Sequence, residues 1–419
     1  MLCISEECPW PAVTGYRLRL SNVVRALADL GEVDCFFVRN DGRERECCVA
    51  PSDGATVARL HVVHEQPPVR RWRRLVPWVR GPLPLGLLWR SWRRAPDALR
   101  AFVRGPYDVV WFGHIDAWVA LGHLVDAPAV VDLDYLEHER LRHRGVARRR
   151  PHRSRALPAR APELVRRLTD PIDRRRWARL SRRVASEVAV VTVSSDLDRR
   201  RLGAPNVEVV PNGYERVAPE PDARPRPPAA TRPVMVMVGV FGYEPNHDGA
   251  WWFAESVLPV VRARVPGAVL RLVGRVTPEI AALAELPGVE LAGFVDDLDV
   301  ELRAATVALA PIRSGGGTRL KVLEAFAYRV PVVSTTIGCE GVDVVDGEHL
   351  LVADDPSAFA TACTRVLLEP ETGERLAAAA HERFLSRYEW SGIRPLITAL
   401  AARVAGRDRS APEAREASG

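Results

Sequence analysis

Apolar residues along this chain fall into short runs of strand length, separated by longer stretches with helical spacing, and the alternation begins almost at residue 1. Leu2-Cys3-Ile4-Ser5 predicts a strand and Pro9-Trp10-Pro11-Ala12-Val13-Thr14-Gly15 a loop. Leu18, Leu20, Val23, Val24, Leu27 and Leu30 then set an apolar stripe on a helix over 18–30. Val33-Asp34-Cys35-Phe36-Phe37-Val38, Asp108-Val109-Val110-Trp111-Phe112 and Ala129-Val130-Val131-Asp132-Leu133 predict further strands. A long Arg-rich helix over about 160–186 leads to Val188-Ala189-Val190-Val191-Thr192-Val193-Ser194, and then to Val207-Glu208-Val209-Val210-Pro211-Asn212-Gly213. Strands alternating with helices imply a parallel, doubly wound sheet.

Residues 211–233 hold seven prolines and predict an interdomain linker. The rhythm restarts after it. Strands are expected at 233–239, 268–274, 289–293, 305–311 and 331–334, and helices at 248–264, 318–328, 356–369, 371–386 and about 391–404. The expected division is an N-terminal domain over 1–210, the linker over 211–233, a C-terminal domain over 234–388, a final helix over 389–405 and a disordered tail over 406–419. A chain of 419 residues with 47% hydrophobic and 27% charged residues fits two such cores and excludes global disorder and coiled-coil classes.

No run of about 18 uncharged apolar residues occurs, so no transmembrane helix is expected. Glu6 and Glu7 stand where a signal peptide would carry basic residues, so a cytoplasmic protein is expected. The seven cysteines lack metal-ligand spacing and suggest mostly unpaired thiols, with room for one structural pair.

Charge changes the picture. The net +6 conceals ten arginines against one acid over 70–104 and seventeen against three over 140–183, so positive charge is concentrated in the N-terminal half. Of 59 basic residues a single one is lysine, Lys321. In a chain that uses arginine almost everywhere, either chance left that lysine or its position needs a compact point charge that a planar fork cannot replace.

Lys321 lies in Ser314-Gly315-Gly316-Gly317-Thr318-Arg319-Leu320-Lys321-Val322-Leu323-Glu324-Ala325, where a predicted strand ends and a helix opens. In a doubly wound sheet, ligands bind at the carboxyl ends of the strands. Gly315, Gly316, Gly317 and Thr318 let backbone N–H groups approach an anion, and the helix start favours negative charge. Arg319 and Lys321 add two cations, and Glu324 is placed to reach ribose hydroxyls beside a bound diphosphate. The alternative is a glycine-rich turn before a solvated helix start. No Gly-Lys-Ser/Thr follows the glycines, so this is not a P-loop, and no G-x-G-x-x-G follows the first strand, which argues against a nicotinamide dehydrogenase.

These residues resemble the family 4 retaining glycosyltransferases of the GT-B fold, in particular the bacterial branch reading P-x-x-x-G-G-G-T-R-x-K-x-L-E-A-x-A. Pro211-Asn212-Gly213, the run Gly239 to Asp248 (G-x-x-x-Y-x-P-N-x-D), Leu272-Val273-Gly274-Arg275, Gly293-Phe294-Val295-Asp296-Asp297 and Pro331-Val332-Val333-Ser334-Thr335 follow in that family's order. The resemblance implies an α/β, GT-B fold: two Rossmann-like doubly wound parallel-sheet domains facing a cleft. The nucleotide-sugar donor would sit mostly on the C-terminal domain, the acceptor mostly on the N-terminal one, and the last helix would cross back. Arg319 and Lys321 would hold the diphosphate, Glu324 the ribose, and no cofactor would be needed. His114, in Phe112-Gly113-His114-Ile115-Asp116, resembles the family's cleft histidine, which contacts the donor sugar; a core or surface histidine is the alternative.

The chain departs from the family twice. Many members carry two glutamates eight positions apart, and the position eight before Glu324 is Gly316. Glu340 is a candidate for the missing carboxylate, or else a loop-stabilising acid. Many members also carry a basic pair after the first C-terminal strand, where this chain has Val240 and Asn246, so the cationic duty is expected of Arg319 and Lys321. Asp134 and Glu137 follow a predicted strand and are acceptor-side candidates, as is Gly15, which would leave room there. Asp132-Leu133-Asp134 spells the D-x-D of metal-dependent transferases, but it lies in the wrong domain, and no metal is expected. Two rivals stay open: a nucleotide-sugar 2-epimerase of the same fold, and a catalytically silent partner of another transferase.

Residues 70–94 interleave arginine with Trp72, Trp78, Trp89 and Trp92. That pairing suits an anionic membrane surface and a lipid-linked acceptor, which would make the protein peripheral on the inner face of the membrane. A solvated charged face with ordinary core tryptophans explains it equally. No nucleic-acid motif accompanies the charge.

Overall fold

Strand β1 (Leu2–Ser5) is fully buried, as a strand covered on both faces must be, and it starts a seven-stranded sheet. The structure, a computed structural model, describes residues 1–12, 14–40, 57–66, 75–148, 161–215, 232–317 and 319–406. The first sheet adds β2 (Val33–Arg39), β3 (Val57–His64), β4 (Val110–Phe112), β5 (Ala129–Leu133), β6 (Val190–Val193) and β7 (Val207–Val209). Its order is β3-β2-β1-β4-β5-β6-β7, and each pair is parallel. Ile4 lies opposite both Phe36 and Phe112, so the direction in which strands are added reverses around β1.

The second sheet contains β8 (Val234–Val238), β9 (Val269–Val273), β10 (Val289–Gly293), β11 (Val307–Ala310), β12 (Val332–Ser334) and β13 (Leu351–Val352), in the parallel order β10-β9-β8-β11-β12-β13. Here the reversal falls between β8 and β11. Met235 and Met237 pack on one face with Val307, Leu309, Phe253 and Phe359, while Val236, Ala308 and Ala310 pack on the other with Phe326 and Phe384. Burying each large apolar side chain contributes about 1.5–3 kcal/mol. Each sheet has the parallel, doubly wound order of a Rossmann-like domain, as the two domains of a GT-B fold have.

By contacts, the described residues form two compact units. One takes those within Met1–Asp134, Arg175–Val210 and Ser391–Gly419; the other takes those within Tyr135–Arg174 and Pro211–Trp390. The segment after β5 therefore groups with the second unit, and the last helix, Trp390–Val404, is held from Ser391 on within the first. In that unit Thr398 donates to the Ala26 carbonyl at 3.0 Å, and Arg403 pairs with Glu208 at 2.7 Å.

The elements differ from the sequence expectations in several places. Strands β3 and β13, and the helices Ala95–Phe102, Ile115–Leu121 and Glu137–Arg148 among others, were not predicted. The helix expected at 18–30 runs Gly15–Ala28. The helix expected over 248–264 is interrupted: Glu244–Trp252 and Leu258–Arg264 flank a widened turn at Phe253–Val257, where Pro259 lacks the N–H that would continue the ladder. The cysteines agree with the expectation of mostly unpaired thiols and room for one pair: Cys3, Cys35, Cys339 and Cys363 are buried free thiols, and Cys8 is disulfide-bonded. Much of the predicted linker and all of the predicted tail from 407 lie outside the described residues.

Asp132 of the D-x-D triplet is committed inside the first unit. Arg19, 1% exposed, donates to both its carboxylate oxygens at 2.7 Å, Thr192 adds a bond at 2.6 Å, and the guanidinium also reaches the Val210 carbonyl at 2.8 Å. Among the described residues, no helix is long and apolar enough to cross a membrane.

Candidate functional site

The carboxyl ends of β8 and β11 are neighbours at the reversal point of the second sheet, where a ligand is expected. The helix Leu320–Ala327 buries Val322, Leu323, Ala325 and Phe326. That stripe fixes its rotation and leaves Lys321 and Glu324 half-buried on another side, one turn apart. Lys321 Nζ donates to Asn246 Oδ1 at 2.8 Å, and Asn246 Nδ2 donates to the Val240 carbonyl at 3.0 Å. Gly239 makes this possible, because a Cβ there would lie 2.7 Å from Asn246 Nδ2. Arg313 clamps Asp248 through two bonds of 2.8 and 3.0 Å and so ties the loop after β11 to the helix after β8.

Arg319 is 7% exposed at the start of the helix Leu320–Ala327. Its Nη1 donates to the Gly316 carbonyl at 2.9 Å and Nε to the Ile337 carbonyl at 3.3 Å. Its Nη2 is buried with no hydrogen-bond partner among the described residues. Burial presses its pKa down, opposed by Tyr243 and Glu340, yet a guanidinium remains a cation. Gly315 has φ +112°, which disfavours any side chain, and a Cβ there would lie 3.2 Å from both Arg319 Nη1 and Pro245. Gly316 and Gly317 continue the loop; Thr318 lies outside the described residues.

The two titratable groups on that helix are driven toward each other in pKa. Burial, helped by Arg319, lowers Lys321 to about 7, and burial raises Glu324 to about 7 against the opposing pull of Lys321.

Sequence reasoning missed the cover on this loop. Within the second unit, the helix Glu137–Arg148 lies against it: a Cβ on Gly316 would stand 3.2 Å from Arg140 Cβ, and one on Gly317 would stand 3.4 Å from Tyr135 Cβ. His143 Nδ1 donates to the Gly315 carbonyl at 2.6 Å, with Glu340 at 3.5 Å, while Arg142 Nη2 donates to Nε2 at 3.0 Å. A carbonyl only accepts and a guanidinium only donates, so this geometry has Nδ1 donating to Gly315 and Nε2 accepting from Arg142. Glu340 is thereby brought near the glycines. Glu137 opens that covering helix and pairs with Arg140 at 2.6 Å.

His114, in the first unit, caps the helix Ile115–Leu121 just after β4, and it is not a surface histidine, being 4% exposed. Its Nδ1 lies 3.2 Å from Asp116 and 3.6 Å from Glu6, which directly follows β1. Arg90 binds Asp116 at 2.8 Å and reaches Glu6 at 3.6 Å. One ligand atom each from Glu6, His114 and Asp116 lies within 4.8 Å of the others, but the guanidinium already places a cation on both carboxylates. Burial would depress His114, yet Glu6 and Asp116 lift it to about 9. Burial raises Glu6, whereas Asp116 is held low against burial by His114 and Arg90. Tyr16 stands edge-on to the imidazole at 6.4 Å and donates to the Gly113 carbonyl at 2.9 Å.

Gly15 is the first residue of its helix, and the Asp134 carbonyl accepts from Ser194 at 2.8 Å. In the basic–aromatic stretch Trp78 is buried under the Arg176 guanidinium at 4.9 Å, Trp92 is half-buried and Trp89 is 40% exposed; Trp72 lies outside the described residues.

Residues 232–369 match the family model described as Glycosyl transferases group 1. An uncharacterised 44.6 kDa protein of the cps region of Klebsiella pneumoniae is 30% identical over 135 residues, 30% of this chain and 35% of that protein. The glycogen synthase of Mycobacterium tuberculosis is 28% identical over 207 residues, 46% of this chain and 47% of that enzyme. The chain thus spans less than half the length of these curated relatives. In fold it is similar over nearly its whole length to the sucrose-phosphate synthase of Thermosynechococcus elongatus, with TM-score 0.67, 17% identity and coverage of 97% of this chain and 99% of that one. Anabaena HepE, solved with UDP and glucose, aligns with TM-score 0.60 at 14% identity over 96% and 99% of the two chains.

Proposed function

We propose that this protein transfers a sugar from a nucleoside-diphosphate sugar to an acceptor hydroxyl with retention of anomeric configuration, in the making of a glycan, glycolipid or glycosylated metabolite, with neither metal ion nor cofactor. The observation that carries this reading is Arg319, whose buried Nη2 lacks a hydrogen-bond partner among the described residues, beside a three-glycine loop at the reversal point of the second sheet. An unpaired buried donor costs about 1–3 kcal/mol, and a diphosphate oxygen would satisfy it. The matched family segment contains this loop, and HepE, solved with UDP, shares the fold.

In the reaction, the bond from the anomeric carbon to phosphate oxygen breaks, and its electron pair stays on the diphosphate. The acceptor oxygen bonds to that carbon from the same face, and its proton passes to the departing phosphate. The products are a glycoside and a nucleoside diphosphate. Negative charge grows beside Arg319, Lys321 and the Gly315–Gly317 backbone, where each well-placed donor supplies about 3–4 kcal/mol. Asn246 aims Lys321, Glu324 takes the ribose, and Glu340 takes a sugar hydroxyl. His114 meets the transferring sugar, while Gly15, Asp134 and Glu137 serve the acceptor. The basic–aromatic stretch brings the protein to an anionic membrane bearing that acceptor.

A thermal-shift screen with UDP, GDP, dTDP and ADP sugars tests the reading, followed by NMR of the anomeric proton in any glycoside formed. Stabilisation by one nucleotide class and a retained configuration support it. No stabilisation by any, or one unchanged in Arg319→Ala, rules out the diphosphate site.

A further inference from the structure

The reading above gives His114 a place at the sugar but not its protonation state, and the buried groups around it decide that state. Four elements converge on the imidazole. Glu6 arrives from the end of β1, Asp116 from the first turn of His114's own helix (Ile115–Leu121), Arg90 from the segment before the helix Ala95–Phe102, and Tyr16 from the helix Gly15–Ala28. Glu6 is 5% exposed and Asp116 also 5%, so water screens neither. Two carboxylates face one permanent cation, Arg90, whose shortest contact is to Asp116. The remaining negative charge falls to Glu6, which burial disfavours, and among the described residues His114 as imidazolium, 3.6 Å away, is the group placed beside Arg90 to offset it.

Resting on the proposed transferase reading, we propose that Glu6 is a positioning residue that keeps His114 doubly protonated, so that His114 serves the reaction as a cationic hydrogen-bond donor to sugar or phosphate oxygen and never as the base that deprotonates the acceptor. The geometry supplies the reason. Nδ1–H is directed at the carboxylates of Asp116 and Glu6, which fixes the ring and leaves Nε2–H as the other donor. A base at this position would need a neutral ring, and a neutral ring would leave the buried Glu6 carboxylate only the longer contact to an Arg90 already shared with Asp116, which is costly. The same arrangement explains why two acids directly follow the first strand. Glu7 turns out to Arg17 at 3.2 Å, while Glu6 turns inward.

The test needs no substrate. In protein labelled with 15N-histidine, the His114 ring, assigned with His114→Asn, is titrated in wild type, Glu6→Gln and Arg90→Met. The imidazolium is expected to persist at pH 7.5 in wild type. Its midpoint should move at least tenfold in proton concentration toward lower pH in Glu6→Gln, and toward higher pH in Arg90→Met. Opposite shifts from the two variants cannot come from a general loosening of the fold. A neutral ring at pH 7.5 in wild type overturns the proposal, as does an equal midpoint in Glu6→Gln, or one equivalent of tightly bound divalent metal in the purified protein. If Glu6→Gln does not fold, Glu6→Asp and Arg90→Met decide between the same outcomes. With an active donor in hand, turnover should fall as pH rises through the wild-type midpoint, and the fall should begin earlier in Glu6→Gln; turnover that rises through the midpoint overturns the proposal. Absence of turnover with every nucleotide sugar would instead defeat the transferase reading, while the ring titration still decides the state of His114.

Discussion

Lys321 donates from Nζ to Oδ1 of Asn246 across 2.8 Å, joining the first turn of one helix to the first turn of the helix Glu244–Trp252 that follows β8. The lone lysine of the chain is thus aimed by an amide, not by a carboxylate that would cancel its charge. Lys321→Ala is expected to lower kcat by about 10²–10³ with the fold intact. Lys321→Arg should recover little, because a rigid planar fork does not reproduce the compact ammonium that Asn246 aims. Circular dichroism beside steady-state rates checks both; activity retained in Lys321→Ala would remove this residue from the chemistry.

The depressed Lys321 and elevated Glu324 make a second expectation with a definite sign. Folding takes Lys321 from 10.5 to about 7, so the folded protein holds fewer protons than the unfolded chain between those values, and stability rises with pH there. Folding takes Glu324 from 4.5 to about 7, so the folded protein holds more protons across that interval, and stability falls as pH rises through it. Both effects place the weakest point of the empty site near pH 7. A bound nucleotide sugar, whose phosphates do not titrate there, favours charged Lys321 and should draw up to one proton from solution above pH 7. Calorimetry in buffers of different ionisation enthalpy measures that uptake, and affinity should weaken as pH rises. Affinity flat from pH 6.5 to 9 contradicts it.

Asp132 carries the third expectation. Both its oxygens are taken by Arg19 and one also by Thr192, all buried, so its charge is already neutralised and a divalent ion would have to displace the guanidinium. Asp132→Ala strands a buried guanidinium and should cost about 3–5 kcal/mol in urea unfolding. A paired Arg19→Met, Asp132→Leu change should cost much less. A chelator should leave turnover unchanged; full dependence on added metal would restore the D-x-D reading.

These elements show what could be read from the chain. Strands β8 and β11 were legible because burial on both faces writes a continuous apolar run, Val234 to Val238 and Val307 to Ala310. Strand β3 was not, because it is half exposed at the sheet's edge and its arginine and histidines break the run. The glycine loop with Arg319, Lys321 and Glu324 was legible because strand end, loop and helix start are contiguous. Glu6, Arg90 and Asp116 stayed hidden, since parallel pairing of β1 with β4 unites positions far apart in the chain, and no local spacing records that. The cover that Tyr135, Arg140 and His143 lay on the glycines was hidden for the same reason.

The basic–aromatic stretch gives the last expectation, and its tryptophans divide by burial. Trp78 is 9% exposed and stacked by Arg176, which also donates to the Trp78 carbonyl at 2.7 Å, so it belongs to the packing of the first unit. Trp89 is 40% exposed, and Val76 and Val79 on the helix Leu75–Arg80 are exposed as well. An indole inserts at a headgroup boundary when nearby arginines hold the surface to anionic lipid. Vesicles containing phosphatidylglycerol should therefore sediment the protein at moderate salt. Trp89→Ala should weaken that sedimentation with no change in melting temperature, whereas Trp78→Ala should lower the melting temperature by several degrees. Charge alone would give sedimentation that high salt abolishes and Trp89→Ala leaves untouched. Equal recovery with neutral phosphatidylcholine vesicles would show that the arginines do not choose the surface.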